Sequence, residues 1–291
     1  MTVFMRLYAR AGFVVISDNF LPAASCRKRK ETQVIQLWHA CGCYKRFGYD
    51  APDDIPESYR GEVFRNTSLV TVSAPAAVRP FCGAMHLTED QVRPLGVSRT
   101  DLYFSEKWRS ACRRSFRALY PDAAGKKVVL WAPTFRGNAG MPELLNLDAG
   151  RLQEELGDGY LVLTRLHPHM KQEQKDRMHD CPVPTEELYP VTDVLIADYS
   201  SLVYEYLLLG KSVVLYAPDL EAYRARRGFY MDAEEIPGGI VTSPGDLAEA
   251  VRRAAVSPAR GREQFLDRYM ASCDGHATGR IVRWMEERLQ E

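Results

Sequence analysis

Val194-Leu-Ile-Ala-Asp-Tyr-Ser-Ser-Leu-Val-Tyr-Glu205 reads as a buried strand that turns directly into a helix. Four apolar residues run without a polar break into Asp198, and a helical period begins at about Ser200 or Ser201. A strand that is apolar on every residue belongs to a parallel sheet covered on both faces. Where it hands over to a helix, free backbone N–H groups, two hydroxyls and the positive end of the helix dipole gather at one spot. That combination favours a phosphate. The plainer reading is that one serine caps the helix, because Ser is a preferred N-cap. Under either reading this is a βα unit.

The same pattern extends outward in both directions. Residues 13–17, 34–38, 69–73, 128–132, 161–167, 193–197, 212–216 and 240–242 read as strands, and 147–156 and 202–209 have helical period. Strands alternating with helices predict parallel sheets and an α/β fold. At 291 residues the chain is long enough for two cores. Pro, Gly and charge cluster at 120–127, just before a new strand, so the expected domains are 1–122 and 123–275. The first is expected to be reduced, since the chain opens almost directly on a strand. Residues 258–291 read as two polar helices separated by Asp274-Gly275.

Composition narrows the class. Lys+Arg and Asp+Glu are both 38, and a zero balance argues against a nucleic-acid partner, which a basic chain would favour. No apolar run approaches the ~20 residues of a membrane span. Seven irregularly spaced cysteines read as reduced thiols, which places the expected location in the cytoplasm.

Two of the six histidines end apolar runs, His39 after Val34-Ile-Gln-Leu-Trp and His167 after Leu161-Val-Leu-Thr-Arg-Leu. Ligands of open α/β sheets bind at carboxyl ends of strands, and imidazole suits proton transfer near neutral pH. Ala132-Pro-Thr134-Phe-Arg136-Gly supplies a hydroxyl and a guanidinium at another strand end, and Arg is the bidentate partner of phosphate. Alternatively it is a surface turn with a solvated Arg. Arg165 and His167 share one face of a strand if that strand persists. Cys41-Gly-Cys43 follows His39; with no second cysteine pair to close a zinc site, it reads as a tight backbone passage, with Lys45 supplying charge. Across residues 104–120, Trp108, Cys112, Phe116 and Leu119 form an apolar stripe flanked by arginines. This is either a core helix or one lying on an anionic membrane surface.

Absent motifs exclude several chemistries. Leu209-Gly-Lys-Ser212 lacks the first glycine of a P-loop and precedes a strand. No Gly-x-Gly-x-x-Gly follows a strand, no Gly-x-Ser-x-Gly elbow makes Ser200 a nucleophile, and no Asp-x-Asp pair follows a strand. The expected chemistry uses no metal and no cofactor.

Taken together, the chain resembles the CDP-glycerol and CDP-ribitol polyol-phosphate transferases of teichoic acid synthesis. The resemblance rests on Gln36–Gly48, Gly96-Val-Ser-Arg-Thr-Asp101, Ala132–Gly137, Arg165-Leu-His-Pro-His169, Thr192–Ser201, Tyr223–Tyr230 and Pro237-Gly238, in the family's order. It implies a GT-B architecture, two Rossmann-like domains facing a cleft, with a C-terminal helix, residues 276–291, returning to the first domain. It also implies transfer of glycerol phosphate or ribitol phosphate from a CDP-polyol donor to a lipid-linked or polymer acceptor at the inner face of the membrane, with release of CMP. His39 is then the expected general base and His167 a catalytic donor-phosphate ligand. Thr134, Arg136, Arg165, Asp198, Ser200, Ser201, Glu205, Arg227 and Lys45 are the expected substrate contacts. Two alternatives stay open: a glycosyltransferase using a CMP- or UDP-sugar, and a nucleotide-binding remnant without activity.

Overall fold

The apolar runs become strands of two all-parallel sheets, one in each of two units of the computed structural model. The structure describes residues 2–51, 54–55, 58–134, 136–138, 141–143, 147–167, 170–257 and 259–290.

The first unit comprises Met1–Phe104 and Asp267–Glu291. Its sheet runs β1 (Phe13–Ile16), β2 (Gln33–Gln36), β3 (Leu69–Thr71), β4 (Val92–Arg93) in that spatial order. Val14 lies beside Val34, Ile35 beside Leu69 and Val70 beside Val92. Helix α1 (Thr2–Tyr8) precedes the first strand, α2 (Leu21–Ser25) follows it, and α3 (Val78–Met85) leads into β4. Tyr8, Ala23 and Val34 form one small core, with Phe4 and Val14 packed on it.

The second unit, Ser105–Leu266, opens with α4 (Glu106–Leu119), capped by Ser105, whose Oγ accepts from the Trp108 N–H at 3.3 Å. Strand β5 (Lys127–Trp131) is followed by the antiparallel hairpin β6 (Arg136–Asn138) and β7 (Met141–Glu143). Helix α5 (Ala149–Leu156), capped by Asp148, leads to β8 (Tyr160–Thr164). Helices α6 (Gln172–Arg177) and α7 (Thr185–Leu188) precede β9 (Val194–Ala197), and α8 (Leu202–Leu208) connects β9 to β10 (Ser212–Tyr216). Helix α9 (Leu220–Arg226), strand β11 (Ile240–Val241) and α10 (Leu247–Val256) complete the unit. The order across the sheet is β11-β10-β9-β5-β8. All four residues of β9 are buried, as expected of a central strand covered on both faces. On one face Val129, Trp131, Val194, Ile196 and Val214 pack with Leu152, Leu247 and Val251 of α5 and α10.

Helix α11 (Arg262–Tyr269) brings the chain back to the first unit, where α12 (Ala277–Gln290) packs Trp284 against Ile35 and Leu69. The Asp101 carboxylate caps α12, accepting from Ala277 N–H at 3.0 Å and Thr278 N–H at 2.8 Å. Gly96 has a φ of 91°, and a Cβ there would strike the Ser272 carbonyl. The Gly96–Asp101 segment therefore clasps the returning chain.

The strand expected over 161–167 ends at Thr164, and a helix stands before β1. The division at 104/105 differs from the expected 122/123, because α4 buries Cys112 and Phe116 and packs against α7. Leu119, expected in that apolar stripe, is 60% exposed.

Candidate functional site

In the second sheet β5 lies between β8 and β9; the chain crosses from β5 to β8 in one direction and from β9 to β10 in the other. The carboxyl ends of β5 and β9 thus form a topological switch point, where the flanking loops part and a ligand can enter. Two of the expected motifs meet here, Thr134–Arg136 after β5 and Asp198–Ser201 after β9.

Asp198 is buried and organises the junction. Its carboxylate accepts from the Thr134 N–H at 2.9 and 3.2 Å, from the Tyr199 N–H at 2.7 Å and from Arg136 Nη1 at 2.7 Å. Arg136 also donates Nη1 to the Thr134 carbonyl at 2.8 Å. Its Nε and Nη2 form a two-pronged pair with Asp219, at 2.8 and 2.9 Å. Its guanidinium lies 4.7 Å from the Tyr199 ring centroid and 5.3 Å from that of Tyr223, and these two rings stack at 3.7 Å. Tyr199 Oη donates to Asp219 at 2.8 Å. Burial disfavours the Arg136 charge, but Asp219 and Asp198 outweigh it and raise the pKa. Burial also works against the Asp219 carboxylate, yet the hydrogen bonds from Arg136 and Tyr199 hold it below the usual range. Burial, then Asp219, push the Tyr199 phenol far up, so it stays a donor.

One cation facing two carboxylates carries a net charge of about −1. Arg136, expected as a phosphate ligand, fastens three strand ends. Four of its five N–H donors are engaged by Asp198, Asp219 and a carbonyl. Arg165 is similarly committed. The chain leaves the extended conformation after Thr164, so Arg165 and His167 do not share a strand face as expected. Arg165 Nη1 donates to Asp180 at 3.0 Å and to the Cys181 carbonyl at 2.7 Å, while Asp180 also accepts from the Leu166 N–H at 2.7 Å. His167, half-buried, follows this clamp; His169 lies outside the described residues.

Helix α8 starts at Leu202, slightly later than expected. Ser200 Oγ accepts from the Leu202 N–H at 3.3 Å, whereas Ser201 is already helical and its side chain makes no capping bond. Glu205, expected to touch substrate, is fully buried on the inward side of α8 and accepts from Tyr189 Oη at 3.2 Å. Arg227 is half-buried at the end of α9. Gly238, in the Pro237-Gly238 motif, has a φ of 133°, and a Cβ there would strike the Val213 carbonyl of β10.

In the first unit His39 stands beyond the carboxyl end of β2, with its side chain 54% exposed. Its Nδ1 lies 3.4 Å from Asp18 Oδ1, in the loop after β1, and its ring is 4.3 Å from that of Trp38. Trp38 packs in turn on Phe47 at 5.2 Å. Desolvation by the surrounding chain lowers the His39 pKa, helped by Arg99 and Lys45 and opposed by Asp18 and a hydrogen bond to the Ser17 backbone. The shift favours the neutral imidazole, the form that can accept a proton. Lys45 is half-buried, and Cys41 and Cys43 are buried. The Gly42 N–H donates to Ser73 Oγ at 2.9 Å, which fixes the tight passage.

Asp18, Gln36, Arg99 and Asp219 were not expected at either site. Arg99 and Asp219 lie within or beside recognised motifs, and Asp18 follows the first strand, but only sheet order brings them to their partners.

Two parallel Rossmann-like sheets, each carrying its polar groups at strand carboxyl ends, define an α/β protein of GT-B-like fold. Residues 3–287 match the family described as CDP-glycerol:poly(glycerophosphate) glycerophosphotransferase, and the chain belongs to it. It is 33% identical to the teichoic acid ribitol-phosphate primase of Bacillus spizizenii, over 99% of this chain and 78% of the relative. It is 31% identical to the ribitol-phosphate polymerase TarL of Staphylococcus aureus, over 95% of this chain but 52% of that protein. Among solved structures, the wall teichoic acid polymerase TagF superposes with a TM-score of 0.75 at 22% identity, over 96% of this chain and 73% of that one. A UDP-GlcNAc 2-epimerase of Methanocaldococcus jannaschii shares the fold at a TM-score of 0.59 and 12% identity, over 98% of this chain and 79% of that one.

Proposed function

We propose that this protein transfers glycerol phosphate or ribitol phosphate from a CDP-polyol to the hydroxyl of a teichoic acid acceptor, lipid-linked or polymeric, and releases CMP. The observation that carries the reading is the convergence of the Thr134–Arg136 and Asp198–Ser201 motifs at the switch point of the second sheet, in a chain of the glycerophosphotransferase family.

The second unit binds the donor. Thr134, Ser200, Ser201, His167 and Arg227 contact the phosphates and the nucleotide, while Asp198, Arg136 and Arg165 hold the loops that present them. Glu205 braces helix α8 from within, accepting from the Tyr189 hydroxyl. In the first unit His39 is the general base, and Lys45 adds positive charge toward an anionic acceptor. His39 removes the proton of the acceptor hydroxyl, whose oxygen attacks the polyol-bearing phosphorus. The bond from that phosphorus to the bridging oxygen breaks, and the electron pair leaves with CMP. A positioned base contributes typically 10²–10⁴-fold, and stabilising the phosphate charge supplies much of the remainder.

The work takes place in the cytoplasm against the inner face of the membrane. Contact there is peripheral, through the basic side of α4 and its exposed Leu119. Among the described residues no helix is long and apolar enough to cross a membrane.

The test is a binding screen with CDP-glycerol, CDP-ribitol and a UDP-sugar, followed by CMP release from the donor that binds. One CDP-polyol should raise the melting temperature, and His39→Ala and His167→Ala should each release CMP far more slowly. Stabilisation by the UDP-sugar alone would shift the assignment to a glycosyltransferase. Near wild-type release by both variants would overturn the roles of the histidines.

A further inference from the structure

Strands β1 and β2 are adjacent and parallel, with Ile16 paired to Gln36, so the loops that follow them emerge side by side. Gln36 is completely buried and ties both loops with one amide. Its Nε2 donates to the Asp18 carbonyl at 2.9 Å, and its Oε1 accepts from the Trp38 N–H at 3.0 Å. Between Gln36 and His39 the backbone turns through Trp38 at a φ of 57°, a left-handed conformation that bulky residues rarely adopt. That turn lays the indole against the imidazole at 4.3 Å and brings His39 Nδ1 to 3.4 Å from Asp18 Oδ1. The same Oδ1 accepts from the Asn19 N–H at 2.6 Å, which fixes the carboxylate on its own loop. A strained turn held by a buried amide is a costly way to place an exposed side chain, and strain of this kind gathers at functional sites.

From this geometry we propose that Asp18 is the positioning residue of His39, with Gln36 as the buried clamp that sets their separation. The proposal rests on the reading of His39 as the general base. The Asp18 carboxylate is an acceptor 3.4 Å from Nδ1, so it favours the tautomer with the proton on Nδ1, in which Nε2 carries the lone pair that takes a proton. In the reaction the acceptor hydroxyl loses its proton to Nε2 as its oxygen bonds to phosphorus and CMP departs. The imidazolium formed at that moment gains the Asp18 carboxylate as a counter-charge, an interaction weaker before proton transfer than after it. Arg99 and Lys45 are the cations that face the ring, and both oppose the charged form. Asp18 offsets them, which keeps the imidazole basic enough to accept the proton.

The experiment is the pH dependence of kcat for CMP release, measured on the full chain with Asp18→Asn, Asp18→Glu and His39→Ala beside the wild type. For Asp18→Asn the plateau should fall roughly 10–10²-fold, less than for a sealed triad, because Asp18 is open to solvent. The KM for the CDP-polyol should stay within about twofold. The acid limb, where His39 loses its proton, should move to lower pH, since the group that raised its pKa is gone. Asp18→Glu, which keeps the charge, should recover most of the rate and return the limb toward its original position. A lowered plateau with an unmoved limb would make Asp18 a loop-holding residue and overturn the proposal. A wild-type profile for Asp18→Asn beside an inactive His39→Ala would overturn it while sparing His39 as the base. Near wild-type turnover by His39→Ala would remove the reading beneath it.

Discussion

The two sheets carry their ionisable groups in opposite ways. In the first unit His39 is about half exposed and touches a carboxylate that is itself exposed. In the second, Arg136 is 13% exposed, Asp198 is nearly sealed, and four of the Arg136 N–H donors are bonded inside the protein. A group that must exchange a proton has to face solvent or substrate. A group that must hold three strand ends in register works best where water cannot compete. The difference separates an exposed candidate base from a buried framework that Arg136 and Arg165 help to hold.

Breaking the framework should therefore cost stability before it costs chemistry. Asp198→Ala strips a buried partner from Arg136 and from the N–H groups of Thr134 and Tyr199. About 3–5 kcal/mol should be lost, read as a lower denaturant midpoint. A loss below about 1 kcal/mol would mean that the network is ornamental. Arg165→Met should cost about 2 kcal/mol, because Asp180 and the Cys181 carbonyl lose a charged donor while the Leu166 N–H keeps Asp180 partly satisfied. Asp219→Asn should cost about 1 kcal/mol, since Asp219 is a third exposed and Arg136 keeps Asp198. Its sharper signature is donor affinity: removing one negative charge beside the proposed phosphate site should tighten CDP-polyol binding or leave it unchanged, and tenfold weakening would give Asp219 a direct role.

The smallest effect concerns pH. Asp274, held by Arg280, has its carboxyl lowered to about 2. Its folded pKa lies below the unfolded value of ~3.9. The stabilisation it gives is therefore full above about pH 4 and lost as the pH falls toward 2. Asp274→Asn should flatten that part of the acid-unfolding curve, lower stability slightly at neutral pH where the wild-type carboxylate contributes in full, and match the wild type near pH 2.

Much of this was legible in the chain. The eight apolar runs became strands because parallel strands buried on both faces need continuous apolar sequence, and that pattern survives without knowledge of partners. Strand β4 and the hairpin at 136–143 escaped, being two or three residues long and not uniformly apolar. The motif ends were found, but their employment was not. Arg136 meets Asp219 across 83 positions and Asp18 meets His39 across 21, both through sheet order, which local pattern does not encode. Strand length decided His167: three residues of missing extension changed the face it shares with Arg165.

The central claim, that His39 serves proton transfer while the second unit holds the donor, is tested most directly by two numbers on one variant. For His39→Ala, the dissociation constant for the CDP-polyol, measured by calorimetry, should equal that of the wild type within about twofold. CMP release at saturating donor and acceptor should fall by about 10²–10⁴-fold. Weakened donor binding with kcat retained would contradict the account, because it would make His39 a donor ligand and leave the first unit without its base.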